Sequence, residues 1–207
     1  MADSPFVHLH VHTSYSMLDG ACRIPDLMDA TKKAHMPAVA MTDHGVMYGA
    51  VEFYKAAISC GVKPLIGCEV YEAPGSLRDR KVEGGGKSSY SHLVLLAEDN
   101  VGYHNLVKLV TLSHLEGFYY KPRIDLATLA QYSKGLIGLS ACLKGKVSER
   151  IVEGNVNAAL SAAGEYADIL GKNNFFLELQ DHGIPDQRKV NREMLAIAKK
   201  TGLPMVA

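Results

Sequence analysis

The sequence predicts an α/β fold, a single domain of 207 residues in which strands and helices alternate around a closed or nearly closed barrel. Three observations predict it. Short apolar runs alternate with segments of helical periodicity, and this many βα units in one domain favour a barrel with a parallel sheet. Residues of the types that bind metals also recur where the predicted strands end, which is where functional groups lie in such barrels.

Seven short apolar runs are predicted as strands. They are Phe6–Val11, Ala38–Met41, Leu65–Tyr71, His92–Ala97, Leu136–Ser140, Phe175–Gln180 and Leu203–Ala207. The last run stops abruptly. We therefore expect the chain to be a fragment, truncated at its C-terminal end inside a βα unit, although an edge strand that ends a protein would look the same.

The segments between the strands are predicted as helices from their periodicity and their end signals. Pro25 lies near the first turn of the first helix, and Gly61 ends the second. The second helix carries a periodic set formed by Val51, Tyr54, Lys55 and Ile58. The predicted helices are Ile24–Ala34, Gly49–Cys60, Asn100–Leu115, Leu126–Tyr132, residues 156–170 and Gln187–Thr201.

The composition is that of an ordinary globular domain, 47% hydrophobic and 21% charged. Lys plus Arg and Asp plus Glu are both 22, so no global basic field indicates nucleic acid, although a small metal-lined cleft could still accept a strand end. No apolar run approaches the roughly 18 residues of a membrane span, and Met1–Ser4 is not a signal peptide. The four cysteines form no C-x-x-C pair, which favours a reduced, cytoplasmic compartment.

His10 and His12 are the strongest functional signal in the chain. Histidines at i and i+2 of a strand point to the same side, and a pair of imidazoles supplies the first two ligands of a transition-metal site. An isolated His-x-His is more often accidental, so the prediction depends on further ligand types at later strand ends. Those residues are Asp19, Asp43, His44, Glu69, His92, Cys142 and, as a weaker candidate, Glu178.

Three of these candidates also have a simpler interpretation. Asp19 precedes a glycine and could be a turn residue. His92 opens its strand instead of closing it and could be a core histidine, and Cys142 could be an inert core cysteine. Glu69 is harder to explain in this way, because a carboxylate in a buried apolar strand is costly unless it meets a cation.

Histidine, carboxylate and one thiolate together suit zinc, or manganese and iron where carboxylates dominate. The candidates exceed one tetrahedral site, which predicts two or three divalent metal ions with Glu69 well suited to bridge them. Two ions about 3.5–4 Å apart activate water and hold the oxygens of a phosphate ester. The predicted reaction is therefore metal-assisted phosphoester hydrolysis, and His12, His44 and Glu69 are the residues that we expect to take part in catalysis.

Two other segments have a less certain interpretation. Tyr119, Lys121 and Arg123 place aromatic and cationic groups side by side, an arrangement that can bind single-stranded nucleic acid, although a solvated loop would have the same composition. The run Gly84–Ser88 is similar to a phosphate-binding loop but lacks its first glycine, so we interpret residues 78–91 as a flexible basic loop.

At these residues the chain resembles the PHP (polymerase and histidinol phosphatase) domain, in the branch that opens the bacterial DNA polymerase III alpha subunit. The resemblance spans the whole chain. The segments that carry it are Phe6–Thr13, Tyr15–Gly20, Thr42–Gly45, Gly67–Glu69, His92–Leu93, Glu116–Tyr119, Lys121–Asp125 and Leu139–Leu143. The last three look like the polymerase branch and not like the stand-alone phosphatases.

The resemblance implies a distorted (βα)7 TIM-like barrel with a centre of three metal ions. The implied ligands are His10, His12, Asp19, His44, Glu69, His92 and Cys142. It further implies a domain of a replicative polymerase in DNA replication, which removes mismatched nucleotides from the primer 3′ end as a 3′–5′ exonuclease, with the rest of the alpha subunit as its partner. The family's last motif, an Asp and a His, would lie just past Ala207, so we expect weak metal binding and little or no activity from this chain alone.

Two alternatives stay open at this point. In some family members the site is degenerate, and the metals or the domain could serve only as a structural scaffold that organises the polymerase or docks a separate proofreading subunit. A stand-alone small-molecule phosphatase is the other alternative. The segment Lys121–Asp125 and the truncated end argue against it.

Overall fold

The computed structural model describes residues 6–80 and 90–207, so the predictions for Met1–Ser4 and Gly84–Ser88 lie outside the described residues. This part of the chain contains seven helices and seven strands. The helices are α1 (Ile24–Lys33), α2 (Ala50–Cys60), α3 (Asn100–Leu115), α4 (Leu126–Gln131), α5 (Lys146–Val152), α6 (Val156–Leu170) and α7 (Pro185–Thr201). The strands are β1 (Ala38–Met41), β2 (Lys63–Glu72), β3 (Ser91–Ala97), β4 (Arg123–Ile124), β5 (Leu136–Leu139), β6 (Phe175–Glu178) and β7 (Met205–Val206).

The strands form one curled, mixed sheet in the order β1-β2-β3-β5-β6-β7, with β4 paired to the end of β2. Strand β3 runs antiparallel to both of its neighbours, whereas the other pairs are parallel. The prediction of a parallel sheet is therefore wrong at β3. A parallel pair needs a crossover, usually a helix, and no helix lies between β2 and β3 in the described residues. The α/β class is confirmed, but the described sheet is a half-barrel, and β1 and β7 do not pair within it.

Three local predictions differ from the structure. The predicted strand Phe6–Val11 is irregular, although it lies along β1, where the amides of Ala40 and Thr42 donate to its carbonyls at 2.9 Å. The short elements β4 and α5 were not predicted. Strand β4 has two residues and helix α5 has seven, which is too few for a periodic pattern to appear in the sequence. Only their tertiary contacts define these two elements.

Helix α2 packs against the core with a different face from the one that carries the periodic set Val51, Tyr54, Lys55 and Ile58. Ala50, Phe53 and Ala57 are buried against the sheet, whereas Val51, Tyr54 and Ile58 are more than half exposed. Both faces of α2 are apolar, so periodicity alone cannot decide between them. The two alanines allow the helix backbone to approach the sheet closely.

Several helix boundaries follow from capping. Asp99, Asp125 and Asn155 accept backbone N–H bonds in the first turns of α3, α4 and α6. Gly61 and Gly202 end α2 and α7 in the left-handed conformation. None of the helices in the described part combines the length and the apolar character needed to cross a bilayer.

Candidate metal centre

The candidate ligands reach one rim of the sheet from separate segments. His10 and His12 lie on the irregular segment beside β1, His44 follows β1 and Glu69 lies in the second half of β2. His92 begins β3, and because β3 is antiparallel its beginning lies at the same rim as the ends of β1 and β2. This direction explains why His92, the exception to the strand-end pattern, nevertheless joins the cluster.

Glu69 is the centre of the cluster and is completely buried. His10 Nε2 lies 3.3 Å and His92 Nδ1 2.9 Å from Glu69 Oε1. His44 Nδ1 lies 2.5 Å and His12 Nε2 3.5 Å from Glu69 Oε2. Each carboxylate oxygen thus faces two imidazoles, contributed by three separate segments of the chain.

The remaining two predicted ligands lie at the edges of this cluster. Asp19 Oδ2 is 2.9 Å from His44 Nε2. Cys142 Sγ is 4.0 Å from Glu69 Oε1 and 3.8 Å from His92 Nδ1. The structure therefore brings together all seven residues to which the resemblance gave ligand roles.

The donor set fits divalent metal ions. Two triads, His10–His12–Glu69 and His44–Glu69–His92, each hold three ligand atoms within 4.8 Å of one another, and they share Glu69. Several of their buried polar atoms have no hydrogen-bond partner among the described residues: His10 Nε2, His12 Nδ1, His44 Nδ1 and Glu69 Oε2. Buried polar atoms are normally satisfied, and imidazole with carboxylate suits zinc, manganese or iron. The residues of the two triads would hold divalent ions, and Glu69 belongs to both triads.

Charges in the cluster are strongly coupled. Burial alone would raise the pKa of Glu69, but the imidazoles of His10, His44 and His92 beside its carboxylate hold it well below its usual range. Burial would lower the pKa of His10, but Glu178 and Glu69 raise it to about 10. Without metal, imidazolium groups therefore provide the positive charge that the buried carboxylate requires.

The other ligands differ in their electrostatics. Burial opposes protonation of His44, yet Glu69 and Asp19 raise its pKa, whereas burial lowers the pKa of His12. Burial, followed by the charge of Glu69, raises the pKa of the Cys142 thiol to about 11. Since a thiol must lose its proton to bind a metal, Cys142 would join the ligand set only with a cation beside it.

Glu178 lies next to the cluster and orients one of its ligands. Its Oε1 is 2.7 Å from His10 Nδ1 and accepts a hydrogen bond of 2.6 Å from Gln180 Nε2. A carboxylate on the second ring nitrogen is the usual way to fix a metal-binding histidine. Glu178 therefore lies where it can orient His10 instead of binding an ion through the same oxygen.

Asp43, considered a ligand candidate from the sequence, points away from the cluster. Its buried carboxylate accepts bonds from Thr13 N (2.6 Å), Thr13 Oγ1 (2.7 Å) and Ser16 Oγ (2.7 Å). Ser16 Oγ in turn accepts a bond from the amide of His44 at 3.1 Å. Asp43 thus fixes the loop between His12 and Asp19 relative to His44. The sequence did not reveal this role, because a motif does not show towards which neighbours a side chain at the end of a strand points.

A cavity of about 530 Å³ opens over the cluster. Its walls include all seven predicted ligands together with His8, Gln180 and His182. His8 lies in this wall with its ring edge-on to Phe6. The volume is sufficient for a nucleotide-sized ligand.

The three predicted nucleic-acid contacts have different environments. Arg123 is buried, and its guanidinium donates to the carbonyls of Gly117, Leu77 and Asp79, so it supports the fold. Tyr119 lies over that guanidinium, 5.1 Å from ring centroid to Cζ. Lys121 alone of the three reaches towards the cluster, with its Nζ 5.4 Å from the centroid of Tyr71.

Comparison with known proteins agrees with this architecture. The DNA polymerase III subunit alpha of Thermus aquaticus is 48% identical over 98% of this chain, and that of Borreliella burgdorferi is 46% identical over 99%. The chain spans 17% and 18% of the lengths of these two relatives. The solved structure of an amidohydrolase from Chromobacterium violaceum, with bound sulfate and no metal, has a similar fold, with a TM-score of 0.50 and 15% identity over 96% of this chain and 84% of its own.

The family comparison is the more specific one. The model of the PHP domain matches residues 8–182, a range that contains every candidate ligand described above. The resemblance expected from the sequence motifs is thereby confirmed. The chain belongs to the PHP domain family.

Proposed function

We propose that this chain is the metal-dependent phosphodiesterase domain of a replicative DNA polymerase and removes mismatched nucleotides from the 3′ end of a primer. The observation that supports it most strongly is the convergence of four imidazoles on the buried carboxylate of Glu69. The two relatives named above are polymerase alpha subunits, which supports DNA as the substrate and the rest of the polymerase as partner. The proposal treats residues 1–207 as one domain.

In this proposal each part of the cluster has its own task. Two or three divalent ions, when bound, supply an activated water and neutralise the charge on the phosphate. His10, His12, His44, Glu69 and His92 hold and space the ions, and Asp19 and Cys142 complete the set at its edges. Glu178 keeps the His10 ring oriented through its second nitrogen. The cavity walls position the terminal nucleotide.

A primer with a labelled, mismatched 3′ nucleotide tests the proposal. We expect release of the label with Mn²⁺ or Zn²⁺, and we expect Glu69→Gln to reduce it more than about 100-fold, because metal-derived charge stabilisation amounts to several kcal/mol. Glu98→Gln, an exposed residue at the end of β3, is the matched control and keeps full activity.

The assay uses both the 207 residues and the longest polypeptide that the gene encodes. If neither releases the label with either metal, the exonuclease proposal is refuted. Turnover of small phosphomonoesters without action on DNA would instead favour a small-molecule phosphatase.

A second candidate function is structural. The ligands come from segments that are far apart in the chain, from His10 to Cys142, so bound ions would also crosslink the fold. In this alternative the metals stabilise a scaffold that organises the polymerase or docks a proofreading subunit. Metal removal would then lower the melting temperature while hydrolysis stays absent in every form of the protein.

A further inference from the structure

Lys121 places a positive charge at the rim of the metal centre. Its Nζ lies over the ring of Tyr71, 5.4 Å from the centroid. Tyr71 follows Glu69 by two residues and therefore lies on the same face of β2, one step nearer the rim. The centroid of the Tyr71 ring is 5.2 Å from that of His92 and 6.0 Å from that of His44. The ammonium and two candidate ligands thus lie around one aromatic ring.

The Lys121 ammonium has no anionic partner within residues 6–80 and 90–207. The nearest acidic residues along the chain have other partners: Glu116 pairs with Arg78, and Asp125 accepts from the amides of Leu77 and Thr128. Lys121 is also half-buried. A partly desolvated cation that lies over an aromatic face, with no anion paired to it in the described part of the chain, has the capacity to bind an anion from outside the chain.

The loop that carries Lys121 is held in place on both sides. Pro122 is buried against Gly45, the residue after His44, so closely that a Cβ there would lie 2.8 Å from Pro122 Cγ. On the other side, Tyr120 adopts a left-handed φ of 59° in a tight turn in which the Tyr119 amide donates to the Lys121 carbonyl at 3.0 Å. The backbone of Lys121 is therefore fixed relative to the ligand His44.

We propose that Lys121 binds a phosphate of a nucleic-acid strand, namely the phosphate next to the one that is hydrolysed. This inference rests on the proposed function and specifies its substrate class. The ammonium lies against the Tyr71 ring, which in turn neighbours the ligands His44 and His92, so its charge is placed for a phosphate of a polymer beside the one at the metals. A lysine acts as a point charge and reads no base, so the contact selects a strand over a small ester without selecting sequence.

Two substrates separate this contact from catalysis itself. Thymidine 5′-monophosphate p-nitrophenyl ester contains a single phosphodiester, whereas a labelled single-stranded oligonucleotide offers the neighbouring phosphates. We expect Lys121→Met to raise KM for the oligonucleotide about tenfold, to leave kcat unchanged, and to have no effect on the single diester. In the same variant, the slope of the logarithm of the binding constant against the logarithm of the salt concentration should become less steep by about one.

Matched variants make the test specific. Lys121→Arg keeps the charge and should restore most of the lost affinity. Lys108→Met removes an exposed lysine of α3 and should behave as the unchanged protein. The bound metal, measured by mass spectrometry, should be the same in all variants. A loss of metal from Lys121→Met would assign the residue to the structure of the site and overturn the proposal.

The remaining outcomes are equally decisive. An equal effect of Lys121→Met on both substrates, or no effect on either, would overturn the proposal that Lys121 binds a neighbouring phosphate. If neither substrate is hydrolysed at all, the proposed function fails, and fluorescence anisotropy of the oligonucleotide in EDTA then decides the inference. A tenfold weaker complex for Lys121→Met supports it, whereas equal affinity, or no binding by the unchanged protein, contradicts it.

Discussion

Glu69 is a carboxylate with no exposed surface, in a strand that is otherwise apolar at this point. Such a group is stable in an interior only when cations and hydrogen bonds replace its water. Here the imidazoles of His10, His44 and His92 do so and lower the pKa of Glu69. The same residues are the ones that divalent ions would use, so protons and metal ions compete for one set of atoms.

We predict from this competition that metal binding releases protons. The pKa of His10, whose ordinary value is 6.5, is raised to about 10, so the free chain carries His10 as imidazolium at neutral pH. In the metal-free protein this ion pair stabilises the fold below pH 6.5 and is lost as the pH rises through about 10. The pH dependence of metal affinity has the opposite sign, because metal ions compete with protons, so the affinity should increase with pH over the same range.

Isothermal titration calorimetry in two buffers of different ionisation enthalpy measures the protons released. At pH 7 we expect roughly one proton or more per chain on loading with Zn²⁺. A binding enthalpy that does not depend on the buffer would contradict this prediction.

Some of the site's residues could be predicted from the sequence, and others could not. The spacing of His10 and His12 and the buried position of Glu69 already indicated ligands. Lys121 and Arg123, in contrast, are both basic and lie in one loop, and only the fold shows that Arg123 donates to buried carbonyls. The direction of a side chain depends on its tertiary neighbours, which a motif does not contain.

At the scale of secondary structure, the loop from Thr13 to Asp19 is set by the end of β1. Asp43 accepts three hydrogen bonds from Thr13 and Ser16, and its own carbonyl accepts the amide of Glu69 at 3.1 Å. One residue thus connects the segments that carry His12, Asp19, His44 and Glu69. We assign it a positioning role, since it does not face the ligand atoms.

We predict that Asp43→Asn weakens metal binding about tenfold, in the range typical of residues that orient metal ligands. The amide keeps the size of the side chain but places an N–H₂ against an N–H or O–H donor, which misplaces the loop. The metal affinity should be measured by titration with a competing chelator.

Thr13→Ser, which keeps the hydroxyl, is the control and should retain the affinity of the unchanged protein. The melting temperature of the metal-free forms separates positioning from general unfolding. If Asp43→Asn binds metal as tightly as the unchanged chain, the positioning role is refuted.

The elements of the fold were predicted with unequal success for physical reasons. Long periodic or capped segments such as α3, α6 and α7 carry their own signals and were found. The direction of β3 was not, because strand direction is decided by the connection and by pairing, and not by the strand's own residues. That error also made His92 look misplaced, although the antiparallel direction is what brings it to the ligands.

At the scale of the whole molecule, the candidate centre lies where distant parts of the chain meet. The two triads combine residues from the segment beside β1, from the end of β1, from β2 and from β3. The sequence predicted the α/β class and a common rim, because strand ends meet in such sheets. It could not give the curl of the half-barrel or the pairing of β4 with β2, since both depend on packing between remote segments.

Ions at these triads should therefore stabilise the molecule as well as equip it for catalysis. A ligand that binds only the folded state raises stability with its concentration, by about 2.7 kcal/mol at 100 times its Kd. We expect loading with Mn²⁺ or Zn²⁺ to raise the melting temperature by several degrees.

The most direct test is the amount of metal bound by the longest polypeptide that the gene encodes and by its Glu69→Gln variant, at equilibrium with excess Mn²⁺ or Zn²⁺, measured by mass spectrometry together with the melting temperature. We expect about two or more ions in the unchanged polypeptide, since the donor set exceeds a single site, a higher melting temperature when they are bound, and loss of both in Glu69→Gln. An unchanged polypeptide that binds no metal, or a Glu69→Gln variant that binds as much, would contradict the assignment of Glu69 to a metal centre.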